Sequence, residues 1–147
     1  MNEGASLNDI LHTVEAPRAL LEKPYLRPIY DDPEFIVRNV WRLYGGWYDF
    51  DAANLKPARH SELGAEIAAL AGGADRLAER ALALVAEGNL RLAGHLADYA
   101  AYAAPDDEAV HRARAEVYEA RVAAEPSLMA KGVFGAAARD SRAKAPE

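Results

Sequence analysis

Histidines, carboxylates and serines are the side chains of this sequence that could do chemistry, because they supply metal ligands, general bases and nucleophiles. The four histidines are His12, His60, His95 and His111. None of them forms an H-x-H or H-x-x-x-H pair, and none lies among carboxylates at metal-ligand spacing. No serine stands in a nucleophile elbow, and neither Gly45-Gly46 nor Gly72-Gly73 has the context of a phosphate-binding loop. The sequence therefore predicts no catalytic residue, no metal ligand and no cofactor-binding residue.

The composition narrows the class of protein further. The 147 residues include no cysteine, which excludes a disulfide framework and a thiolate zinc site. The net charge of −6 argues against nucleic acid as the main partner, and no apolar run is long enough to span a membrane. The first residues do not begin a signal peptide, so we expect a cytoplasmic protein by default, with a secreted or periplasmic parent left open. Many alanines and charged residues, with few β-branched ones, favour an all-α fold.

A stretch rich in aromatic residues, Asp31 to Pro57, is the centre of the predicted domain. It contains both tryptophans and two of the three phenylalanines. Asp32-Pro33-Glu34 predicts a helix start, because Asp caps free amides and Pro suits the first helical position. Gly45-Gly46 predicts the end of that helix. At about 100° per residue its apolar side chains fill an arc of about 160°, so the helix needs cover on more than one side.

We divide the side chains of this helix and turn between the core of one chain and a contact with another. The residues assigned to the core are Val40, Leu43 and Tyr44. The residues assigned to a dimer interface are Phe35, Trp41 and Trp47. This division rests on the enrichment of Trp, Tyr, Phe and Arg at protein interfaces.

The position of Phe35 leaves an alternative open. Phe35 lies among Arg38, Asn39 and Arg42 on the polar face of the helix, where one small domain has little left to cover it. The N-terminal arm carries several leucines and could cover Phe35 within one chain or extend to the partner. These leucines are Leu20, Leu21 and Leu26.

The remaining sequence predicts an arm followed by helical hairpins. Residues 1–30 predict two short helices and an extended connector between Pro24 and Pro28. A helix is predicted from Ser61 to Leu70, and a last helix from Pro126 to about Ala138. The positions with the spacing of a tetratricopeptide repeat are Gly88, Ala93, Ala100 and Pro105. Small residues at such positions let two helices approach closely, so we predict about one and a half degenerate repeats over 74–125.

Several segments resemble one known family. They are YDDPEFIVRNVWRLYGGWYD, NLKPA, AGGAD, GNLRLAGHLADYAAYAAPDD and SLMAKGVF. Together, over roughly Tyr25 to Phe134, they resemble the dimerisation domain of the alkylsulfatases of the metallo-β-lactamase superfamily. One departure concerns the turn after Trp-Tyr-Asp, where the family continues Gly-x-Pro and this chain has Phe50-Asp51-Ala52.

The resemblance implies a non-catalytic dimerisation domain with an all-α, tetratricopeptide-repeat-like fold and an extended N-terminal arm. The predicted organisation is an arm (1–30), a helical dimerisation domain (31–138) and a charged tail (139–147). The resemblance places sulfate ester hydrolysis, and the zinc that it needs, in a catalytic domain that this chain lacks, since the superfamily motif H-x-H-x-D-H is absent. The expected partner is a second copy, with a catalytic hydrolase domain or subunit as a further one, and neither nucleic acid nor a membrane. The alternative is a stand-alone tetratricopeptide-like adaptor that binds a protein or peptide.

Overall fold

The computed structural model describes residues 3–146, and every regular element within that range is helical, which confirms the all-α prediction. The α-helices are α1 (Leu7–Thr13), α2 (Arg18–Leu21), α3 (Pro33–Gly45), α4 (Ala52–Leu55), α5 (His60–Ala71), α6 (Ala74–Ala86), α7 (Leu90–Ala103), α8 (Glu108–Ala124) and α9 (Leu128–Lys144). A 3-10 turn, Pro24–Leu26, lies between α2 and α3. The connector was predicted to be extended between Pro24 and Pro28, and this is wrong for Pro24–Leu26, where the Leu26 amide donates to the Lys23 carbonyl and closes a turn. No helix among the described residues is both long and apolar enough to cross a membrane.

The internal contacts divide the chain into two compact units. Unit 1 comprises the described residues up to Pro57 together with Pro126–Met129. Unit 2 comprises Ala58–Glu125 and the described residues from Ala130 onward. This division falls inside the helical domain that the sequence predicts over 31–138. It concerns contacts alone, so the predicted limits of the arm, the domain and the tail stay predictions.

Unit 1 is held together by helix caps and by the packing of α1 on α3. Ser6 and Asp9 form a capping box at the start of α1, and the Asp32 carboxylate caps α3, as the sequence predicts. Helix α1 packs against α3, and each helix has one buried side chain, Leu11 in α1 and Trp41 in α3. The predicted arm therefore contains a helix that packs on the aromatic stretch.

The start of α9 is bound by the backbone of the arm within unit 1. The Ser127 hydroxyl donates a hydrogen bond to the carbonyl of Tyr30 at 3.1 Å. The amides of Leu128 and Met129 donate to the carbonyls of Ile29 and Tyr30 at 2.8 Å and 3.1 Å. These bonds satisfy amides that a helix N-terminus leaves without intrahelical partners. The connector predicted between Pro24 and Pro28 therefore leads into Ile29 and Tyr30, whose backbone binds the start of α9.

Unit 2 consists of helical hairpins with alanine-rich contacts. Helix α6 packs against α7, and α8 contacts both of them. Ala93 and Ala100 are fully buried, which confirms them as packing positions between the repeat helices. Gly88 was predicted to pack there too, and this is wrong, because Gly88 is exposed and a Cβ added to it would meet no atom within 4 Å. Its φ of +79° shows that glycine is needed for the left-handed turn that ends α6.

Helix α9 ends later than the sequence predicts. It continues to Lys144, whereas the predicted end was about Ala138. The Arg142 guanidinium binds the Glu119 carboxylate of α8 with two hydrogen bonds of 2.9 Å, and Ser141 is fully buried. Most of the predicted tail is therefore helical, because its polar side chains bind α8.

Candidate interaction surface

One face of α3, continued by the turn that follows it, is apolar and exposed. We call it the α3 face, and it consists of Ile36, Val40, Leu43, Tyr44 and Trp47, which are between 48% and 81% exposed. At about 100° per residue, the four members on the helix fill an arc of about 100° that contains no charged residue. Single exposed apolar residues are ordinary on protein surfaces, but a contiguous set of them marks an interaction site.

The α3 face overturns part of the sequence analysis. Val40, Leu43 and Tyr44 were assigned to the core, and for the single chain this assignment is wrong, because all three are exposed. Helix α1 instead lies beside the flank of α3 that carries Val37 and Trp41. The sequence pattern is apolar on both flanks, so it does not indicate which of them α1 covers.

The residues predicted to form the dimer interface do not lie on one surface. Trp41 is only 3% exposed, its Nε1 donates to the carbonyl of Tyr48 at 3.1 Å, and its ring contacts Phe50 edge-on at 5.5 Å. Phe35 is half-buried on another side of the helix. Of the predicted residues, Trp47 belongs to the α3 face, where it is 81% exposed. Contacts of all three with a second chain stay a prediction.

The turn after α3 contains the position at which the sequence departs from the family pattern. Phe50 has a φ of +64°, so it adopts the left-handed conformation for which glycine is the usual residue. The Asp49 carboxylate accepts hydrogen bonds from the Asn54 side chain at 2.7 Å and the Asp51 amide at 2.9 Å, and both lower its pKa. The Asp49 carbonyl also accepts from the amide of Leu7. Hydrogen bonds from Asn54, Asp51 and Leu7 therefore hold the turn, although Phe50 stands where the family pattern has glycine.

An apolar groove of about 220 Å³ lies beside the α3 face, between α1 and α3. Its lining residues are Ile10, Val14, Ile36, Val37, Val40 and Trp41. Ile36 and Val40 belong to both features, so the groove is continuous with the α3 face. The sequence pattern was not interpreted as a groove. The available signal was a pair of apolar residues four positions apart, Ile10 in α1 and Val14 directly after it.

Unit 2 contains a largely buried polar network that joins α7, α8 and α9. The Arg114 guanidinium donates to Asp98 Oδ1 at 2.7 Å and to Ser141 Oγ at 2.8 Å. The Tyr118 hydroxyl donates to Asp98 Oδ2 at 2.7 Å. Burial, reinforced by the negative charge of Asp98, raises the pKa of the Tyr118 hydroxyl. Because these groups satisfy one another, the network supports the packing of the helices.

The four histidines are not brought together. His111 is buried, and its Nε2 lies 2.8 Å from the carbonyl oxygen of Pro105. His60 stacks on a tyrosine ring of α7 at 4.8 Å, and His12 and His95 are exposed. Within residues 3–146, no group of three or more His, Cys, Asp or Glu side chains is placed to hold a metal ion.

The chain is similar to known alkylsulfatases over most of its length. A family profile for alkyl sulfatase dimerisation matches residues 6–144. The chain is 32% identical over 120 residues to an (R)-specific secondary-alkylsulfatase from Pseudomonas sp, covering 81% of this chain and 18% of that protein. It is 30% identical over 109 residues to a linear primary-alkylsulfatase from Pseudomonas sp. (strain ATCC 19151), covering 74% of this chain and 21% of that protein.

A solved structure shows the same similarity. The stereoselective inverting sec-alkylsulfatase Pisa1 from Pseudomonas sp. matches with a TM-score of 0.87 and 28% identity, covering 99% of this chain and 23% of that one. The chain thus spans about a fifth of the length of these relatives. The similarity therefore concerns one segment of each relative.

Proposed function

Because the chain belongs to the alkyl sulfatase dimerisation family, we propose that it is a non-catalytic domain that joins two copies of an alkylsulfatase-like hydrolase. The α3 face is the observation that carries this proposal, since it is an exposed apolar surface in a family whose description names dimerisation. The partner is a second copy of this chain, and the functional unit is a homodimer.

The size of the α3 face suits such a contact. Aromatic side chains bury about 150–250 Å² each, and Val, Leu or Ile side chains bury roughly half of that area. Tyr44 and Trp47, which are 76% and 81% exposed, therefore offer on the order of 300 Å². All members of the face together offer on the order of 500 Å². Two copies then remove about 1,000 Å² from water, which is the lower limit for a specific interface.

The charge distribution of α3 favours the same contact. Its charged side chains are Glu34, which is half-buried, and Arg38 and Arg42, which are exposed, and all three lie outside the arc of the α3 face. Burying the face against a second copy therefore buries no charged side chain of this helix. A charge buried without a partner would cost several kcal/mol. The driving force is the removal of apolar surface from water.

Hydrolysis of a sulfate ester belongs, in this proposal, to a zinc-dependent catalytic domain or subunit outside this chain. The residues of the chain do not fit a zinc site, because the sequence has no H-x-H-x-D-H motif and the described part has no cluster of potential ligands. We expect the purified chain to bind no stoichiometric zinc and to hydrolyse no alkyl sulfate. Metal analysis after gel filtration tests this, and about one or two tightly held zinc ions per chain would contradict it.

Sedimentation equilibrium of the full chain tests self-association. We expect a dimer for the parent chain and a monomer of unchanged helical content for Leu43→Glu, because the new charge would be buried in the contact. Leu70→Glu is the matched control, since Leu70 is 88% exposed but lies on α5, outside the α3 face. A parent chain that stays monomeric contradicts the proposal and favours the adaptor alternative. Unchanged affinity of Leu43→Glu places the interface elsewhere.

A further inference from the structure

We propose that two copies pair their α3 helices in antiparallel orientation about a two-fold axis, with Trp47 of each copy bound in the apolar groove of the other. This inference rests on the proposed function, because it specifies how the α3 face meets its own copy. It adds a defined register and a defined contact, a tryptophan side chain in a groove between α1 and α3.

The two complementary features lie at opposite ends of α3. Trp47 follows the C-terminal end of the helix and is exposed, whereas Ile36 lines the groove near the N-terminal end. Ile36 and the last helical residue, Gly45, are nine positions apart, which corresponds to roughly 14 Å along the helix, and Trp47 follows two residues later. A two-fold axis that passes between Val40 and Leu43 exchanges the two ends, so each Trp47 meets the partner's groove. Such an isologous contact closes with two copies.

A parallel arrangement lacks this complementarity. It would place each Trp47 beside the same residue of the other copy and would leave both grooves empty. In the antiparallel arrangement the uncharged arc of one copy also faces the uncharged arc of the other. Ile36 then lies opposite Trp47, and Val40 lies opposite Leu43. Apolar side chains then meet apolar side chains along the whole contact.

The groove has the size and chemistry to hold an indole ring. Its volume is about 220 Å³ and its lining is apolar, and an apolar cavity of about 150 Å³ already holds benzene. The contact also covers Ile10 of α1 and Val14, the residue that directly follows α1, and both lie outside the α3 face. The area removed from water by two copies then rises to on the order of 1,200 Å², within the range of specific interfaces.

Cysteine cross-linking tests the antiparallel register. The chain has no cysteine of its own, so single-cysteine variants report one position each. We expect an equimolar mixture of Ile36→Cys and Trp47→Cys to form a disulfide-linked dimer, because a disulfide needs Cα atoms closer than about 7 Å. Neither variant alone should cross-link. In the mixed dimer the Ile36→Cys copy keeps its own Trp47, so one tryptophan–groove contact persists.

Affinity measurements test the contact between Trp47 and the groove. We expect Trp47→Ala to weaken the dimer about 30-fold or more, the effect of removing an aromatic side chain that fills a pocket of the partner. Val14→Glu changes the groove without changing the α3 face and should weaken the dimer similarly. Because both variants remove the same contact, the double variant should lose little more than either single one. Tyr25→Ala is the control, since Tyr25 is an equally exposed aromatic residue of unit 1 that lines no part of the groove.

The outcomes separate this inference from the proposed function. A monomeric parent chain would overturn both. Two results together would retain the α3 face as the interface and overturn the antiparallel register. They are loss of the dimer in Leu43→Glu and disulfide cross-linking of Ile36→Cys alone or of Trp47→Cys alone. Unchanged affinity of Trp47→Ala, or additive effects of Trp47→Ala and Val14→Glu, would overturn the contact of Trp47 with the groove.

Discussion

Replacing Phe50 separates two opposing effects at one position. The left-handed φ of +64° destabilises the folded chain, whereas the ring of Phe50 stabilises it through contacts with Trp41 and Tyr48. Glycine removes both effects, and alanine removes the ring but keeps the strained backbone. We expect the parent chain to be the most stable, Phe50→Gly the next, and Phe50→Ala the least.

The magnitudes follow from the geometry. The ring contacts of 5.5 Å with Trp41 and 5.4 Å with Tyr48 are worth about 0.5–1.5 kcal/mol each. The ring is 53% exposed, so its burial contributes about 1 kcal/mol more. Phe50→Ala should therefore cost about 2–4 kcal/mol. Phe50→Gly relieves about 1–2 kcal/mol of backbone strain and adds about 0.5–1 kcal/mol of unfolded-state entropy, so it should cost about 1–3 kcal/mol.

Urea unfolding followed by tryptophan fluorescence measures these differences. Both tryptophans belong to unit 1, so the signal reports the unit that contains Phe50. All three proteins are compared at one concentration, because self-association raises apparent stability. If Phe50→Ala is more stable than Phe50→Gly, the strain of the positive φ is smaller than the unfolded-state entropy that glycine adds, and the ordering argued here is refuted. If Phe50→Gly is more stable than the parent, the ring contacts are weaker than the strain they offset.

Two further predictions concern unit 2. Ala93→Leu should overpack the fully buried contact between α6 and α7 and cost about 1–3 kcal/mol in thermal or urea unfolding. Ala83→Leu, on the exposed side of α6, is its control, and equal stability of both variants would show that the hairpin contact lies elsewhere. The pKa of the Tyr118 hydroxyl is raised in the folded chain by burial and by Asp98, so its stabilising contribution is complete below pH ~10 and is lost as the pH rises further. Tyr118→Phe should therefore lose less stability than the parent above pH ~10, and identical slopes of stability against pH would contradict this.

The elements that the sequence predicts well are those with local causes. Asp32 caps α3 through an amide two residues away, and Gly46 ends it with a positive φ. Ala93 and Ala100 are buried because their spacing along α7 keeps them on one side of the helix. Ala81, Ala93, Ala97 and Ala100 are at most 1% exposed, so the small residues of this hairpin mark where its helices approach closely, and their pattern is enough to predict it.

The misassigned residues depend on contacts between segments that are distant in the sequence. The end of α9 depends on Arg142 and its partner Glu119, which lie 23 residues apart and carry no helix-ending or helix-extending signal of their own. The exposure of Val40, Leu43 and Tyr44 depends on the flank of α3 against which helix α1 packs. Propensity and periodicity cannot report either feature, since neither is a property of a short segment.

The sequence by itself determined that the stretch around α3 is a capped helix with more apolar surface than one neighbour can cover. It also determined the family, because the aromatic residues and glycines of that stretch keep a recognisable spacing. Only the tertiary structure decided which apolar residues are exposed. Helix α1 packs on the flank with Val37 and Trp41, which buries Trp41 and exposes Leu43, Tyr44 and Trp47. The physical reason is that an apolar arc of about 160° offers two equivalent sides, and burial of either one stabilises the chain by a similar amount until a particular neighbour packs against it.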